Sequence, residues 1–276
     1  MIYFTKEQYL SIINHAKQEY PKEACGILAG KRTTNNELQI IKVYKMNNIS
    51  ENPQVCYFMK PEEQLKVFKE IRNLGLEMVG IYHSHANSPA YPSQRDCELA
   101  FYPEVDYIII SCSFNVQSST FNEPEVRAFK IIENKIEEEK IIIRKNILFV
   151  CIENSCRSQI AEGLVNNLYW EKFVAYSAGS KPSGIVNPNA IEVMKEIGID
   201  IAQHKSKGFD EVKDIEFDYI ITMGCGDTCP SFVQRSMFNV QRLEWQIDDP
   251  KDKPIEFFRK IRDDIHKKIK QLVDKQ

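Results

Sequence analysis

Apolar residues recur along the first half of the chain with two periods. After Thr5, which opens the capping pattern Thr-Lys-Glu-Gln, apolar Tyr9, Leu10, Ile13 and Ala16 follow at helical spacing. "ACGILAG" (24–30) and "LQIIKVYKM" (38–46) read as strands on either side of a polar turn. Pro61 marks the first turn of a helix that runs to about Asn73, with Leu65, Val67, Phe68 and Ile71 as its apolar set. "EMVGIYHSH" reads as a strand and a short helix begins near Ser93; "VDYIIISCS", "EVRAFKII" and "IEEEKIII" read as further strands. This order predicts an α+β domain over residues 1–143, a mostly antiparallel sheet with flanking helices.

From Lys145 strands and helices alternate. "NILFVC" is a short buried-type strand, and the helix "RSQIAEGLVNNLYW" after it aligns Ile160, Leu164, Val165 and Leu168. "FVAYSAG" and "FDYIITMG" read as strands, with the helix "PNAIEVMKEIG" between them bounded by Pro188 and Gly198. A long amphipathic helix follows Pro254. The alternation predicts a second domain, 146–276, of α/β class with a parallel sheet.

Composition narrows the function classes. The chain has 276 residues, enough for two ordinary domains, and its net charge of −3 offers no electrostatic footprint for nucleic acid or an acidic membrane. The start lacks the basic and apolar regions of a signal peptide, and no apolar run reaches spanning length. Eight cysteines in such a chain argue for reduced thiols, and the expected compartment is the cytoplasm.

Chemistry concentrates at two places. In "HSHANSPAYPSQRD" (83–96), His83 and His85 end a strand at i and i+2 and so face the same side. Asp96, at the head of the next helix, can fold back as a third ligand. Two histidines, a carboxylate and one open position are the usual arrangement of a catalytic zinc site. Such a site also needs a base and an oxyanion donor, for which Glu23 and Ser93 are the candidates. Ser93-x-x-Asp96 is equally a helix capping box, and paired histidines also occur as ordinary strand-end residues. Together they spell H-x-H-x7-S-x2-D, and with "EACGILAG" upstream the segment resembles the JAMM (MPN+) metalloprotease family. The resemblance implies zinc on His83, His85 and Asp96, Glu23 as general acid/base, and Ser93 stabilising the tetrahedral intermediate. It further implies cleavage beside the tail of a ubiquitin-like or sulfur-carrier protein. A docking module that holds such a partner without cutting it is the alternative.

The second place is "CIENSCR" (151–157), where Cys151 ends a strand and Arg157 begins a helix. Inward backbone N–H groups and the helix N-terminus favour an oxyanion, and the same field favours a thiolate nucleophile. Arg157 can hold the oxyanion through two parallel hydrogen bonds; Ser158 can donate to the thiolate, and Asn154 can fix the loop. Glu153, whose carboxylate would repel the anion, is expected to point outward. "FVCIENSCRSQIAEG" resembles the low-molecular-weight tyrosine phosphatase superfamily, which implies a four-stranded parallel sheet. Cys225 and Cys229 in "ITMGCGDTCP" and Asp249 in "EWQIDDP" resemble the arsenate reductases within it, since a phosphatase, the alternative reading, has no use for two extra cysteines.

That resemblance implies attack of Cys151 on arsenate, with Asp249 as the acid. A 151–225 disulfide then passes to 225–229, and thioredoxin or another dithiol reduces it. Cys225 and Cys229 have three residues between them, where the thioredoxin-coupled form usually has six. His15 and His266 are expected to face solvent. His204 carries no assigned role, and Trp170 and Trp245 are expected to be packing anchors.

Overall fold

The computed structural model describes residues 1–112, 114–115, 120–121, 124–224 and 240–275, which form two compact units, Met1–Ile143 and Arg144–Gln276. The first comprises β1 (Ile2–Thr5), α1 (Lys6–Glu19), β2 (Cys25–Arg32), β3 (Leu38–Met46), α2 (Pro61–Asn73), β4 (Glu77–His85), α3 (Gln94–Glu98) and β5 (Asp106–Ser111). A small ladder of β6 (Phe114–Asn115) and β7 (Thr120–Phe121) precedes β8 (Glu125–Ile132) and β9 (Lys135–Glu139). β10 (Ile141–Cys151) belongs to the second unit from Arg144 onward. There it is followed by α4 (Arg157–Leu168), β11 (Phe173–Gly179), α5 (Pro188–Lys195), a 3₁₀ turn (Phe209–Val212), β12 (Tyr219–Thr222), β13 (Gln241–Glu244) and α6 (Ile255–Val273).

In the first unit the strand order is β1-β3-β2-β4-β5-β8-β9. β1/β3 and β4/β5 are parallel and the other neighbours antiparallel. Strand alternation sorts the core into two layers. Leu28, Tyr82, Ile108 and Ile110 pack with Ile12 and Ala16 of α1, whereas Ile27, Ile81, Tyr107 and Ile109 pack with Ile71 of α2. Thr5 caps α1 with a full capping box.

Some details depart from the periodicity. "MIYF" is a strand, too short to show a period, and it finds β3 as a parallel neighbour. "IEEEKIII" divides at Lys140, whose carbonyl turns to accept from the Ile2 N–H at 2.9 Å. Leu10, Leu65 and Leu168 are exposed. His15 does not face solvent: it is buried, with Nδ1 2.8 Å from the Tyr82 hydroxyl. Burial, helped by Lys45 and opposed by Glu19, pushes its pKa down. His266 is half-buried, its Nε2 3.0 Å from the Tyr169 hydroxyl.

The second unit holds four parallel strands in the order β11-β10-β12-β13. Ile147 and Phe149 face α4, α5 and α6; Leu148 and Val150 face the opposite layer with Val212 and Phe217. Trp245 is buried against Phe149 at a centroid distance of 5.8 Å. Among the described residues, no helix is long and apolar enough to cross a membrane.

Two candidate active sites at strand ends

β4 delivers both histidines. It pairs with β2 in the register Cys25↔His83, and one step on, the Ala24 carbonyl accepts from the Ser84 N–H at 2.9 Å. The next step sets Glu23 opposite His85. Asp96 arrives on α3, where Ser93 and Asp96 form a reciprocal capping box.

The three candidate ligand groups converge. His83 Nε2 and His85 Nε2 are 3.1 Å apart, and Asp96 places Oδ1 3.2 Å from the first and Oδ2 3.4 Å from the second. Ligands on a tetrahedral zinc, with bonds of about 2.0–2.1 Å, stand roughly 3.3 Å from one another. The donor set and its spacing therefore fit such an ion. Both histidines are buried. Burial pushes the His83 pKa down; at His85 burial acts the same way but is outweighed by Asp96 and the Pro89 carbonyl, so the net direction is up. Burial raises Asp96, yet bonds from both imidazoles prevail and hold it below the usual carboxylate range.

Glu23 is buried, and that burial pushes its pKa up to about 7, with Asp96 adding to the shift and His85 opposing it. A carboxylate poised there can both take and return a proton at neutral pH. Its backbone is fastened at both ends: its N–H donates to the Pro53 carbonyl at 2.6 Å, and its carbonyl accepts from Asn48 Nδ2 at 2.9 Å. Ser93 is placed differently from its expected role. Its hydroxyl donates to Asp96 Oδ2 at 2.6 Å and accepts from the Asp96 N–H at 3.2 Å, so here it orients the carboxylate. Donating to an oxyanion would require it to leave that bond.

In the second unit Cys151 ends β10 and Arg157 opens α4. Cys151 Sγ lies 3.0 Å from Ser158 Oγ. Asn154, fully buried with a φ of 49°, ties the loop to its surroundings. Its Nδ2 donates to Ser158 Oγ and Ser177 Oγ, both at 2.8 Å. Its Oδ1 accepts from Gln159 Nε2 and the Lys207 N–H, also at 2.8 Å. Ser177 in turn bonds Glu162, which pairs with Lys207 at 3.0 Å. Gly179 clears the way for the loop: a Cβ there would stand 2.6 Å from the Ile152 carbonyl oxygen. His204 joins this network through Gln159 Oε1 at 2.9 Å, and burial pushes its pKa down.

Arg157 is buried, with Nη1 on the Ile247 carbonyl at 3.1 Å and Nη2 on Asp249 Oδ2 at 2.9 Å. Cys151, Glu153, Ser155, Cys156, Arg157 and Asp249 line a pocket of about 70 Å³. Glu153 is half-buried beside this pocket, and its carboxylate pairs with Lys251 at 2.5 Å. Burial pushes the Cys156 thiol up to about 11, which leaves Cys151 as the nucleophile candidate. Cys225 and Cys229 lie outside the described residues. Gly224, immediately before Cys225, backs onto Arg157: a Cβ there would stand 2.9 Å from Nη1.

Tyr57, Lys251 and the cluster of Ser177, Glu162 and Lys207 escaped the sequence reading. Tyr57 sits in a short apolar run outside any helix or strand and Lys251 in a polar, turn-rich stretch, so neither has a period to mark it, and the others touch the loop only after the sheet has formed.

Two family models match the chain: prokaryotic homologues of the JAB domain over residues 5–131, and low molecular weight phosphotyrosine protein phosphatase over residues 146–276. An arsenate reductase 2 of Staphylococcus saprophyticus is 42% identical over 134 residues, which covers 48% of this chain and 98% of the relative. An arsenate reductase of Staphylococcus aureus is 42% identical over 125 residues, 44% of this chain and 91% of the relative. Among solved structures, a thioredoxin-dependent arsenate reductase of Corynebacterium glutamicum is 31% identical with a TM-score of 0.39, over 48% of this chain and 64% of that one.

Proposed function

Through residues 146–276 the chain belongs to the arsenate reductases of the low molecular weight phosphotyrosine protein phosphatase family, and it carries a prokaryotic JAB domain before them; from this we propose a bifunctional enzyme that reduces arsenate to arsenite with its own thiols and cleaves a peptide or isopeptide bond at a zinc site.

The observation that carries the reductase is Cys151 Sγ 3.0 Å from Ser158 Oγ, on a loop closed by Arg157. Ser158 steadies the thiolate, and an arriving oxyanion takes over the Arg157 donors now resting on Ile247 and Asp249. Cys151 attacks arsenic, and Asp249, released from Arg157, is placed to relay a proton from solvent to the departing oxygen. Cys225 attacks the Cys151 sulfur; the electron pair of the sulfur–arsenic bond passes to arsenic, arsenite leaves, and a 151–225 disulfide forms. Cys229 displaces Cys151 to give 225–229, and an external dithiol such as thioredoxin returns the two electrons.

In the first unit His83, His85 and Asp96 would hold zinc. When bound, the ion supplies a water of lowered pKa and polarises the scissile carbonyl. Glu23 accepts a proton at its carboxylate and returns it to the leaving amine. Ser93 keeps Asp96 in its ligand orientation. The substrate class implied is the tail of a ubiquitin-like or sulfur-carrier protein.

The deciding experiment maps disulfides by mass spectrometry after reduced protein meets arsenate. Wild type should show 225–229, and Cys229→Ser should trap 151–225. Unchanged thiols would refute the reductase, and hydrolysis of an aryl phosphate would then identify a phosphatase. The Glu153–Lys251 pair allows a finer check. Lys251→Ala leaves a bare carboxylate on the pocket wall, and the arsenate KM should rise roughly two- to five-fold, the range of an exposed ion pair, with kcat little changed. Adding Glu153→Gln should restore KM; a KM unmoved by Lys251→Ala would mean that the pair does not shape the pocket's charge.

A further inference from the structure

His83 and His85 are held by different means. His85 Nδ1 bonds the Pro89 carbonyl at 2.8 Å, the kind of outer partner that normally fixes a ligating imidazole. His83 Nδ1 is buried and has no hydrogen-bond partner among the described residues. With Nε2 turned toward His85 and Asp96, Nδ1 is the nitrogen left to carry the proton, a donor with no acceptor. Against this ring lies Tyr57, stacked at a centroid distance of 4.7 Å and an interplanar angle of 28°.

Tyr57 is itself fixed on both sides. The residues flanking it are fastened by one side chain: Asn48 Nδ2 donates to the Cys56 carbonyl at 3.2 Å, and Asn48 Oδ1 accepts from the Phe58 N–H at 3.1 Å. The same Asn48 amide bonds the Glu23 carbonyl at 2.9 Å. The loop between β3 and α2 thus grips a ligand through Tyr57 and the base through Asn48.

We propose that Tyr57 is a positioning residue for the metal site, its ring face replacing the outer hydrogen bond that His83 lacks. The proposal rests on the reading of His83, His85 and Asp96 as metal ligands. A stack constrains the imidazole plane as a hydrogen bond does, and Nε2 stays aimed at the shared point although Nδ1 is unbonded. The ring face is what matters, not the hydroxyl.

The test uses the full chain freed of metal, with Co²⁺ as the probe, its affinity measured by competition with a chelator and its geometry by the d–d absorption band. Tyr57→Phe should match wild type in both. Tyr57→Leu should bind Co²⁺ roughly 10- to 100-fold more weakly, with an altered band. Equal affinity in Tyr57→Leu and wild type would overturn the proposal, as would a Tyr57→Phe variant as weak as Tyr57→Leu. Folding is read separately from amide-exchange protection along β4 in the metal-free variants. If Tyr57→Leu loses that protection, Tyr57→Met takes its place under the same two criteria. Failure of wild type to take up Co²⁺ would refute the metal reading itself, and Tyr57's role with it; the two failures are thereby distinguished.

Discussion

Cys151→Ser is expected to abolish arsenate reduction, by roughly 10⁴-fold or more, while leaving the oxyanion bound. The loss has two causes that act together. A serine hydroxyl at this position stays protonated and attacks poorly, and it cannot carry electrons: without the Cys151 sulfur there is no 151–225 disulfide and no route for a thiol pair to reduce arsenic. Binding survives because Arg157 and the loop amides, held by Asn154, do not depend on the sulfur. Arsenite formation with excess dithiol measures the first effect, and protection of the variant by arsenate against thermal unfolding measures the second. Cys156→Ser provides the contrast. That thiol is buried and pushed up to about 11, with Ser155 Oγ 3.5 Å away. Activity should persist there, and its loss would reassign the nucleophile.

Glu23→Gln should lower peptide-bond cleavage by roughly 10²- to 10⁴-fold without removing the metal. The substitution keeps shape and backbone anchoring, since Pro53 and Asn48 bond the main chain and not the carboxylate. What disappears is the proton acceptor pushed up to about 7 by its own burial. Asp96→Ala should instead remove both metal and cleavage. Metal content by atomic absorption and cleavage of a ubiquitin-like or sulfur-carrier conjugate separate the two. Cleavage unaffected by Glu23→Gln would reduce the first unit to a docking module.

Much of this was legible because both sites use strand ends. "EMVGIYHSH" and "NILFVC" are apolar runs that stop at their reactive residues, so alternation put His83 and His85 on one side and the end of the run put Cys151 at the strand's C-terminus. Contacts between distant segments were not legible. His15 looks like a surface residue until Tyr82, on another element, offers it a hydroxyl. Leu65 has the right helical spacing, but spacing does not say which arc of α2 meets the sheet. Ser93 had two readings, helix cap and oxyanion donor, and the structure shows the cap, with its hydroxyl bonded to Asp96. Tyr57 belongs to no periodic element, and its role depends on where Asn48 pins the loop.

The left-handed Asn154 has a thermodynamic consequence. Asparagine tolerates that φ better than most non-glycine residues, and here four side-chain bonds hold it in place. The entropy of shaping the anion cradle is therefore spent when the chain folds, not when the ligand arrives. A small inorganic oxyanion, with few atoms to contribute contact energy, meets a mould already cast. Calorimetry should find its binding free of the unfavourable entropy that loop ordering would impose.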